Sequence, residues 1–245
     1  LALGRAPIDN DRKLRPSWDA LGIHRAAELC DSFTVRAAKT AVTCTAALRL
    51  VADDRVLLRA RMTYRAATDG KLTVTMDAEI PDNGVRFYPR LGLCLPLVPT
   101  LENLRYFGYG PMESYIDKHL AARLGRFLTT VTDNFEPYLR PQENGAHFDT
   151  QYAALTTVDG AGLLVTRTDA PFMMGASHYS DAQMRDAHYA HELTPEPFTY
   201  LHLDAFQSGC GSYACGPLLD EAYQLKAGKH RLSVTLTPCR VDEVL

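Results

Sequence analysis

Apolar residues recur along much of this chain with a period of two, which is the spacing of a β-strand with one buried face. In residues 71–80 the apolar positions alternate with polar ones: Leu72, Val74, Met76, Ala78 and Ile80. The same alternation runs through residues 42–50, 56–64, 201–206 and 232–237. Asp53 and Asp54 separate two of these runs, so residues 42–64 predict a β-hairpin.

Turn residues and a few helix signals complete the prediction of elements. Asn144-Gly145 predicts a tight turn before a strand over residues 148–155. Ser180, with Gln183 three residues later, predicts a capped short helix over residues 181–188, and a second helix is expected within residues 15–28. Many strands with few helices predict an all-β antiparallel sandwich forming a single domain over residues 1–245.

Composition excludes several classes of function. The chain of 245 residues has a net charge of -3, so it has no basic excess for nucleic acid and no polybasic run for an anionic membrane. No apolar run approaches the roughly 20 residues of a membrane-spanning helix. The six cysteines lack metal-site spacing and are expected to be free, mostly buried thiols in a reducing, cytoplasmic compartment.

Four short segments carry a resemblance to a known family. They are residues 5–11 (RAPIDND), 106–118 (YFGYGPMESYIDK), 137–145 (PYLRPQENG) and 209–217 (GCGSYACGP). Their order and spacing resemble the last domain of the β-galactosidases of glycoside hydrolase family two, over about residues 5–238. Ser114 and Ile116 replace the Asn and Pro that this family usually has. The abrupt start at Leu1, without Met or signal peptide, also predicts a piece of a longer polypeptide.

The resemblance implies a large antiparallel super-sandwich, galactose mutarotase-like, with one or two short helices. It implies an accessory C-terminal domain of a retaining enzyme that hydrolyses terminal β-galactosides. The two catalytic glutamates of that family, about 5 Å apart, lie on a TIM barrel that precedes this domain. No catalytic residue, metal or other cofactor is therefore expected in this chain, because the family's Mg and Na sites also lie in other domains.

The resemblance also implies the partners of this domain. They are the preceding TIM-barrel and β-sandwich domains of the same polypeptide, together with the β-galactoside substrate. The full-length enzyme is expected to be a homo-oligomer, and the isolated chain is expected to be inactive. An exposed apolar patch near residues 209–216 is expected where the barrel would pack.

Residues 209–216 are the segment expected to reach substrate. Cys215 stands where well-studied relatives carry a Trp in the active-site wall, and Tyr213 could supply an aromatic face instead. The candidates for the substrate rim are Gly211, Ser212, Tyr213 and Cys215. The alternative is that Cys215 is simply buried.

Further candidates for a carbohydrate pocket are Glu113, Arg140, Glu143, Asn144 and His188. The alternative for the two glutamates is a role in turns, where each accepts hydrogen bonds from backbone amides or from Arg140 or Arg5.

The remaining histidines and acidic residues give weaker signals. His188 and His191 could share a helix face, but no acidic residue completes a zinc motif. His147 and His202 are expected at the surface or at an interface. Asp9, Asn10 and Asp11 lack the Gly and Glu of a calcium loop and are expected to form Asx turns that tie the first strand to the sandwich.

Two other functions remain open from the sequence. An autonomous carbohydrate-binding module would expose aromatic side chains such as Tyr106, Tyr109 and Tyr152 on a concave face. An aldose-1-epimerase would need a converging acid and base, for which His188 with Glu143 or Glu113 are available.

Overall fold

The computed structural model describes residues 1–244, which form two antiparallel β-sheets and two short α-helices. The nine-stranded sheet has the order β1-β2-β3-β4-β13-β10-β9-β6-β7. Its strands are β1 (Ala27–Ala38), β2 (Ala41–Ala52), β3 (Arg55–Ala67), β4 (Leu72–Ile80), β6 (Asn103–Gly110), β7 (Arg123–Thr130), β9 (Tyr152–Thr156), β10 (Ala161–Arg167) and β13 (Gly228–Arg240). The four-stranded sheet has the order β5-β12-β11-β8. Its strands are β5 (Arg90–Leu97), β8 (Ala146–Thr150), β11 (Phe172–Ser177) and β12 (Thr199–Gln207).

The helices are short and lie outside the sheets. They are α1 (Arg15–Leu21) and α2 (Asp181–Asp186), with 3-10 helices at Asp9–Lys13, Ile23–Arg25, Ala190–Glu192, Glu221–Tyr223 and Val241–Glu243. The predicted cap of α2 is confirmed, because the Ser180 side chain accepts a hydrogen bond from the Gln183 amide. The helix ends at Asp186, earlier than predicted, so His188 and His191 do not share a helix face.

The predicted hairpin is confirmed as β2 and β3. Asp53 and Asp54 have φ values of 47° and 61°, the left-handed backbone of a two-residue turn that suits twisted strands. Ala46 pairs with Met62, and both side chains point into the core. The alternating pattern therefore set the register of this hairpin correctly.

The strand predicted over residues 148–155 is two strands. β8 belongs to the small sheet and β9 to the large one, and the chain crosses between them around Gln151, whose amide donates to the Phe107 carbonyl. A continuous apolar pattern does not reveal such a crossing, because both strands bury apolar residues in the same core.

The core lies between the two sheets. It includes Leu58 and Met76 of the large sheet and Leu201 and Leu203 of the small one, all with essentially no exposed surface. The other face of the small sheet is also covered, by α2 and by residues 1–14, here called the N-terminal segment. Ala2 of this segment forms a backbone bridge to Gly92 of β5. His202 and Asp204 on that face are consequently buried, although their alternation with leucines predicted an outward face.

Candidate functional site

Residues 209–216, here called the rim loop, follow β12 and contain no helix or strand. The Asp117 carboxylate holds its start, with Oδ1 accepting from the Cys210 amide at 2.9 Å and Oδ2 from the Gly211 amide at 2.8 Å. A Cβ at Gly209 would overlap this carboxyl group, so the close approach requires glycine. Charge-assisted hydrogen bonds of this kind fix a loop strongly.

The N-terminal segment holds the rim loop from the other side. The Asn10 amide donates to the Cys210 carbonyl at 2.8 Å, and the Arg12 guanidinium donates to the Ala214 carbonyl at 3.1 Å. The expected role of residues 9–11 in tying the N-terminal segment to the sandwich is thus confirmed in part. These residues form a 3-10 helix, however, and do not lead into a first strand.

Arg5 is the central buried residue of this attachment. Its guanidinium pairs with the Asp11 carboxylate at 2.8 Å and donates to the Ser208 carbonyl at 2.5 Å. Burial is the largest single effect and lowers the pKa of Arg5, but the neighbouring acidic groups, with Asp11 first among them, together raise it above its usual value. Arg5 therefore remains charged while it anchors the chain just before the rim loop.

The outer part of the rim loop is accessible. Gly211 and Cys215 are exposed, and Ser212 and Tyr213 are half-buried, so the burial alternative for Cys215 is wrong. Tyr213 has a φ of 80°, and the Lys13 ammonium lies 4.6 Å from the centre of its ring. Contact of these four residues with substrate stays a prediction.

Glu113 is fully engaged by neighbouring donors. Oε1 accepts from the Lys118 ammonium at 2.6 Å and from the Tyr138 hydroxyl at 2.5 Å, while Oε2 accepts from the Gly145 amide at 3.0 Å. Burial and this carboxylate raise the pKa of Tyr138 to about 12, so its hydroxyl keeps the proton that it donates. The alternative of a glutamate bonded within turns is confirmed for Glu113, although neither Arg140 nor Arg5 takes part.

Glu143 belongs to a buried cluster around Arg90 that the sequence did not reveal. The Arg90 guanidinium donates to Glu143 at 2.7 Å and to Asp181 at 2.9 Å, and its Nε lies 3.0 Å from an Asp204 oxygen. The His202 Nδ1 atom lies 3.1 Å from the same guanidinium. The arginine partner expected for Glu143 was Arg140 or Arg5, and this expectation is wrong.

The Arg90 cluster (Arg90, Glu143, Asp181, His202 and Asp204) has unusual protonation. Burial raises the pKa of Asp204 to about 8, against the opposing effect of Arg90. Burial and the adjacent guanidinium lower the pKa of His202 to about 3, so its imidazole is neutral. Because Arg90 can only donate, the His202 Nδ1 atom accepts and the ring proton is on Nε2.

The other pocket candidates do not converge on the glutamates. Glu113 and Glu143 both line a cavity of about 170 Å³, to which Arg140, Asn144 and His188 do not contribute. Arg140 and His188 are exposed, and the Asn144 side chain bonds the backbone of Glu136 and Gln142. The acid–base pair needed by an epimerase is therefore not assembled from His188.

Two further expectations about side chains are corrected. His147 is buried against the Tyr106 ring, with 4.0 Å between ring centres, and is not at the surface. Tyr106 is itself buried, so it cannot present a sugar-binding face. The large exposed apolar side chains include Phe33 and Val35 of β1, and none of them belongs to the rim loop itself, so an apolar patch near that loop stays a prediction.

Cysteine, metal and membrane features of residues 1–244 are as follows. All six cysteines are free, but Cys239 alone among them is buried, so the expectation of mostly buried thiols is wrong. These residues include no group of three or more His, Cys, Asp or Glu side chains placed to hold a metal ion. The described helices are all too short and polar to cross a bilayer.

Comparison with known proteins matches almost the whole chain to one family. A family model described as Beta galactosidase small chain matches residues 1–236. The β-galactosidase of Staphylococcus xylosus is 37% identical over 223 residues, which are 90% of this chain and 22% of that protein. The β-galactosidase of Actinobacillus pleuropneumoniae is 32% identical over 233 residues, which are 95% of this chain and 22% of that protein. The chain thus spans about a fifth of the length of these relatives.

Among solved structures, a GalM/aldose epimerase homologue from C. elegans is similar with a TM-score of 0.40 and 15% sequence identity. The match covers 85% of this chain and 69% of that one. Similarity at this level does not transfer a function.

Proposed function

Because this chain belongs to the β-galactosidase small-chain family, we propose that it is the C-terminal accessory domain of a β-galactosidase. In this role it supports the catalytic barrel and completes the edge of the active site with the rim loop. The observation that carries the proposal is the coverage: relatives match at least 90% of this chain with only 22% of their own length. The remaining length of such an enzyme holds the catalytic domain and is the first partner of this one.

The attachment of the rim loop supports a role in substrate specificity. Asp117 fixes its first residues and Arg5 fixes the residue just before them, while Tyr213 and Cys215 remain accessible farther along the loop. A loop with a fixed backbone and accessible side chains is suited to contact the aglycone. Its conformational entropy is already lost before substrate binds, so ordering the loop does not weaken binding.

The environment of the carboxylates supports the proposal that the isolated chain does not hydrolyse β-galactosides. A retaining glycosidase needs one free acid and one free nucleophile about 5 Å apart. Glu113 already accepts bonds from Lys118, Tyr138 and Gly145, and Glu143 is paired with buried Arg90. The catalytic glutamates and the Mg and Na sites would accordingly belong to the other domains.

The first test measures hydrolysis of a chromogenic β-galactoside by the purified chain and by a β-galactosidase that carries it. We expect turnover only in the larger enzyme, and the isolated chain should show no hydrolysis with or without Glu143→Gln. Hydrolysis by the isolated chain that disappears with Glu143→Gln would contradict the proposal.

The second test examines the rim loop in the larger enzyme. Cys215→Trp should favour aromatic and glucose aglycones by about 1 kcal/mol, or roughly fivefold in KM, because a stacked ring adds apolar contact. Cys30→Trp is the matched control, since Cys30 is also exposed but lies on β1. Equal kinetics of both variants for several aglycones would show that the rim loop does not contact the aglycone.

A further inference from the structure

A second cavity also borders the Arg90 cluster and shares no lining residue with the cavity of Glu113 and Glu143. It has a volume of about 410 Å³ and lies between the N-terminal segment, α1, α2 and the covered face of the small sheet. This volume is within the range of small-molecule sites. Its walls include the apolar side chains of Leu3, Trp18, Ile23 and Leu50.

Two polar groups of the Arg90 cluster face this cavity with free hydrogen-bonding capacity. The Asp181 Oδ2 atom accepts from Arg90, whereas Oδ1 accepts no hydrogen bond within residues 1–244. The His202 Nδ1 atom is occupied by Arg90, which leaves the Nε2 proton directed to the cavity side. Nε2 is 3.8 Å from Asp181 Oδ1, too far for a hydrogen bond between them.

His202 makes this arrangement unusual because its side chain is only 10% exposed. Nε2 is not among the fully buried side-chain atoms that lack a hydrogen-bond partner, so it borders the open cavity and can bond a ligand there. Here an acceptor and a donor stand side by side, so a ligand hydroxyl could donate to Asp181 while the adjacent hydroxyl accepts from His202. Two neighbouring hydroxyls are what a sugar ring presents.

The charges around the cavity favour a neutral ligand. Arg15 and Arg185 both pair with Asp19, at 3.3 Å and 2.6 Å, and Asp181 is paired with Arg90. Asp186 also lines the cavity but is exposed to solvent. Arg5, the third arginine of the lining, pairs with Asp11, so each of the three lining arginines has a carboxylate partner.

We propose that this cavity binds a neutral monosaccharide, with a vicinal pair of hydroxyls held by Asp181 and His202 and the apolar face of the ring against Trp18. The lining of the cavity includes no residue of the rim loop. The cavity would give the accessory domain a sugar-binding site of its own.

Trp18 provides a direct measurement, because it is the single tryptophan of the chain and lines the cavity. D-galactose, D-glucose and D-mannose are titrated into the purified chain while tryptophan fluorescence is recorded. We expect at least one of them to give a saturable change with a Kd on the order of 1 mM, as suits a site with few contacts. Tetrahydropyran, the same ring without hydroxyls, should give none.

Variants separate the polar contact from the cavity shape. Asp181→Asn should raise the Kd about 10-fold or more, because a hydrogen bond to a charged acceptor is lost. Ala26→Phe narrows the cavity without altering the Arg90 cluster and should abolish the change. Asp133→Asn, an exposed aspartate away from the cavity, is the control and should leave the Kd unchanged.

Circular dichroism establishes that each variant is folded before it is titrated. The proposal is overturned if no sugar saturates the signal by about 100 mM, or if tetrahydropyran binds as well as the sugars. An unchanged Kd in both folded cavity variants would overturn it as well. Because the isolated chain is used, these outcomes are independent of whether the rim loop contributes to catalysis.

Discussion

Replacing Arg90 with methionine tests the buried cluster that holds β5, β12, α2 and the 137–145 segment together. Arg90 is 1% exposed and contacts the carboxylates of Glu143, Asp181 and Asp204. Methionine keeps much of the volume but leaves Glu143, with a side chain only 4% exposed, without its cation. Removal of the Arg90 cation destabilises the other two carboxyl groups less, because Asp204 is largely protonated near neutral pH and the Asp181 side chain is 29% exposed.

The expected loss is the cost of an uncompensated buried charge. Removal of one partner from a buried ion pair costs about 3–5 kcal/mol. For a chain of this size that is a decrease in Tm of roughly 6–20 °C. Urea denaturation followed by both Trp18 fluorescence and far-ultraviolet circular dichroism gives the free energy of unfolding, and agreement of the two signals establishes a two-state transition.

A double variant identifies the source of the loss. Arg90→Met with Glu143→Leu removes the unpaired charge and should recover part of the free energy, whereas two unrelated losses would add. Arg140→Met is the matched control and should change the free energy of unfolding by less than about 0.5 kcal/mol, since Arg140 is exposed and makes no ion pair within residues 1–244. A loss below about 1 kcal/mol for Arg90→Met, or strict additivity in the double variant, would refute the reasoning.

Three further outcomes are expected. Asp204 has a pKa of about 8 in the folded chain and about 4 when unfolded, so its own contribution to the free energy of unfolding should fall as pH rises from about 5 to 8, while the lowered pKa of His202 acts in the opposite direction below about pH 6.5. The difference in free energy of unfolding between the native chain and Asp204→Asn, from urea titrations at each pH, should therefore shrink as pH rises. Gly92→Ala should prevent folding or greatly destabilise the chain, because a Cβ there would lie 2.5 Å from the Leu203 carbonyl, whereas Gly216→Ala, with open space around it, should be neutral in thermal melts. Asp117→Ala should speed hydrogen exchange at the amides of the rim loop while exchange in β12 is unchanged, and equal protection in both proteins would show that the carboxylate does not hold the loop.

The strands were the part of the structure that the sequence predicted well. Alternation at period two set the β2–β3 hairpin and β4, because one face of each strand meets a continuous core. The same rule misjudged His202 and Asp204, since it assumes that the second face meets water. That face is covered by residues distant in sequence, and no local pattern records such coverage.

The motifs predicted which residues matter more reliably than what they contact. Arg5 and Asp11 of the 5–11 segment pair with each other, and Glu143 of the 137–145 segment lies in the Arg90 cluster. Arg90 itself stands in no motif that was singled out, and only its burial reveals it. A lone arginine at the start of an apolar strand, followed by Leu91 and Leu93, is the signal that could have drawn attention to it.

Arg90 couples the two cavities electrostatically, because residues of both cavities contact its guanidinium. Glu143 lines the smaller cavity, while Asp181 and His202 line the larger one, and all three contact the same guanidinium. Several carboxylates compete for one cation in a region of low dielectric, so a change of charge in either cavity alters the charge balance in the other. Substitutions of Glu143 should therefore shift the affinity of the Asp181 cavity for a sugar, even though Glu143 does not line it.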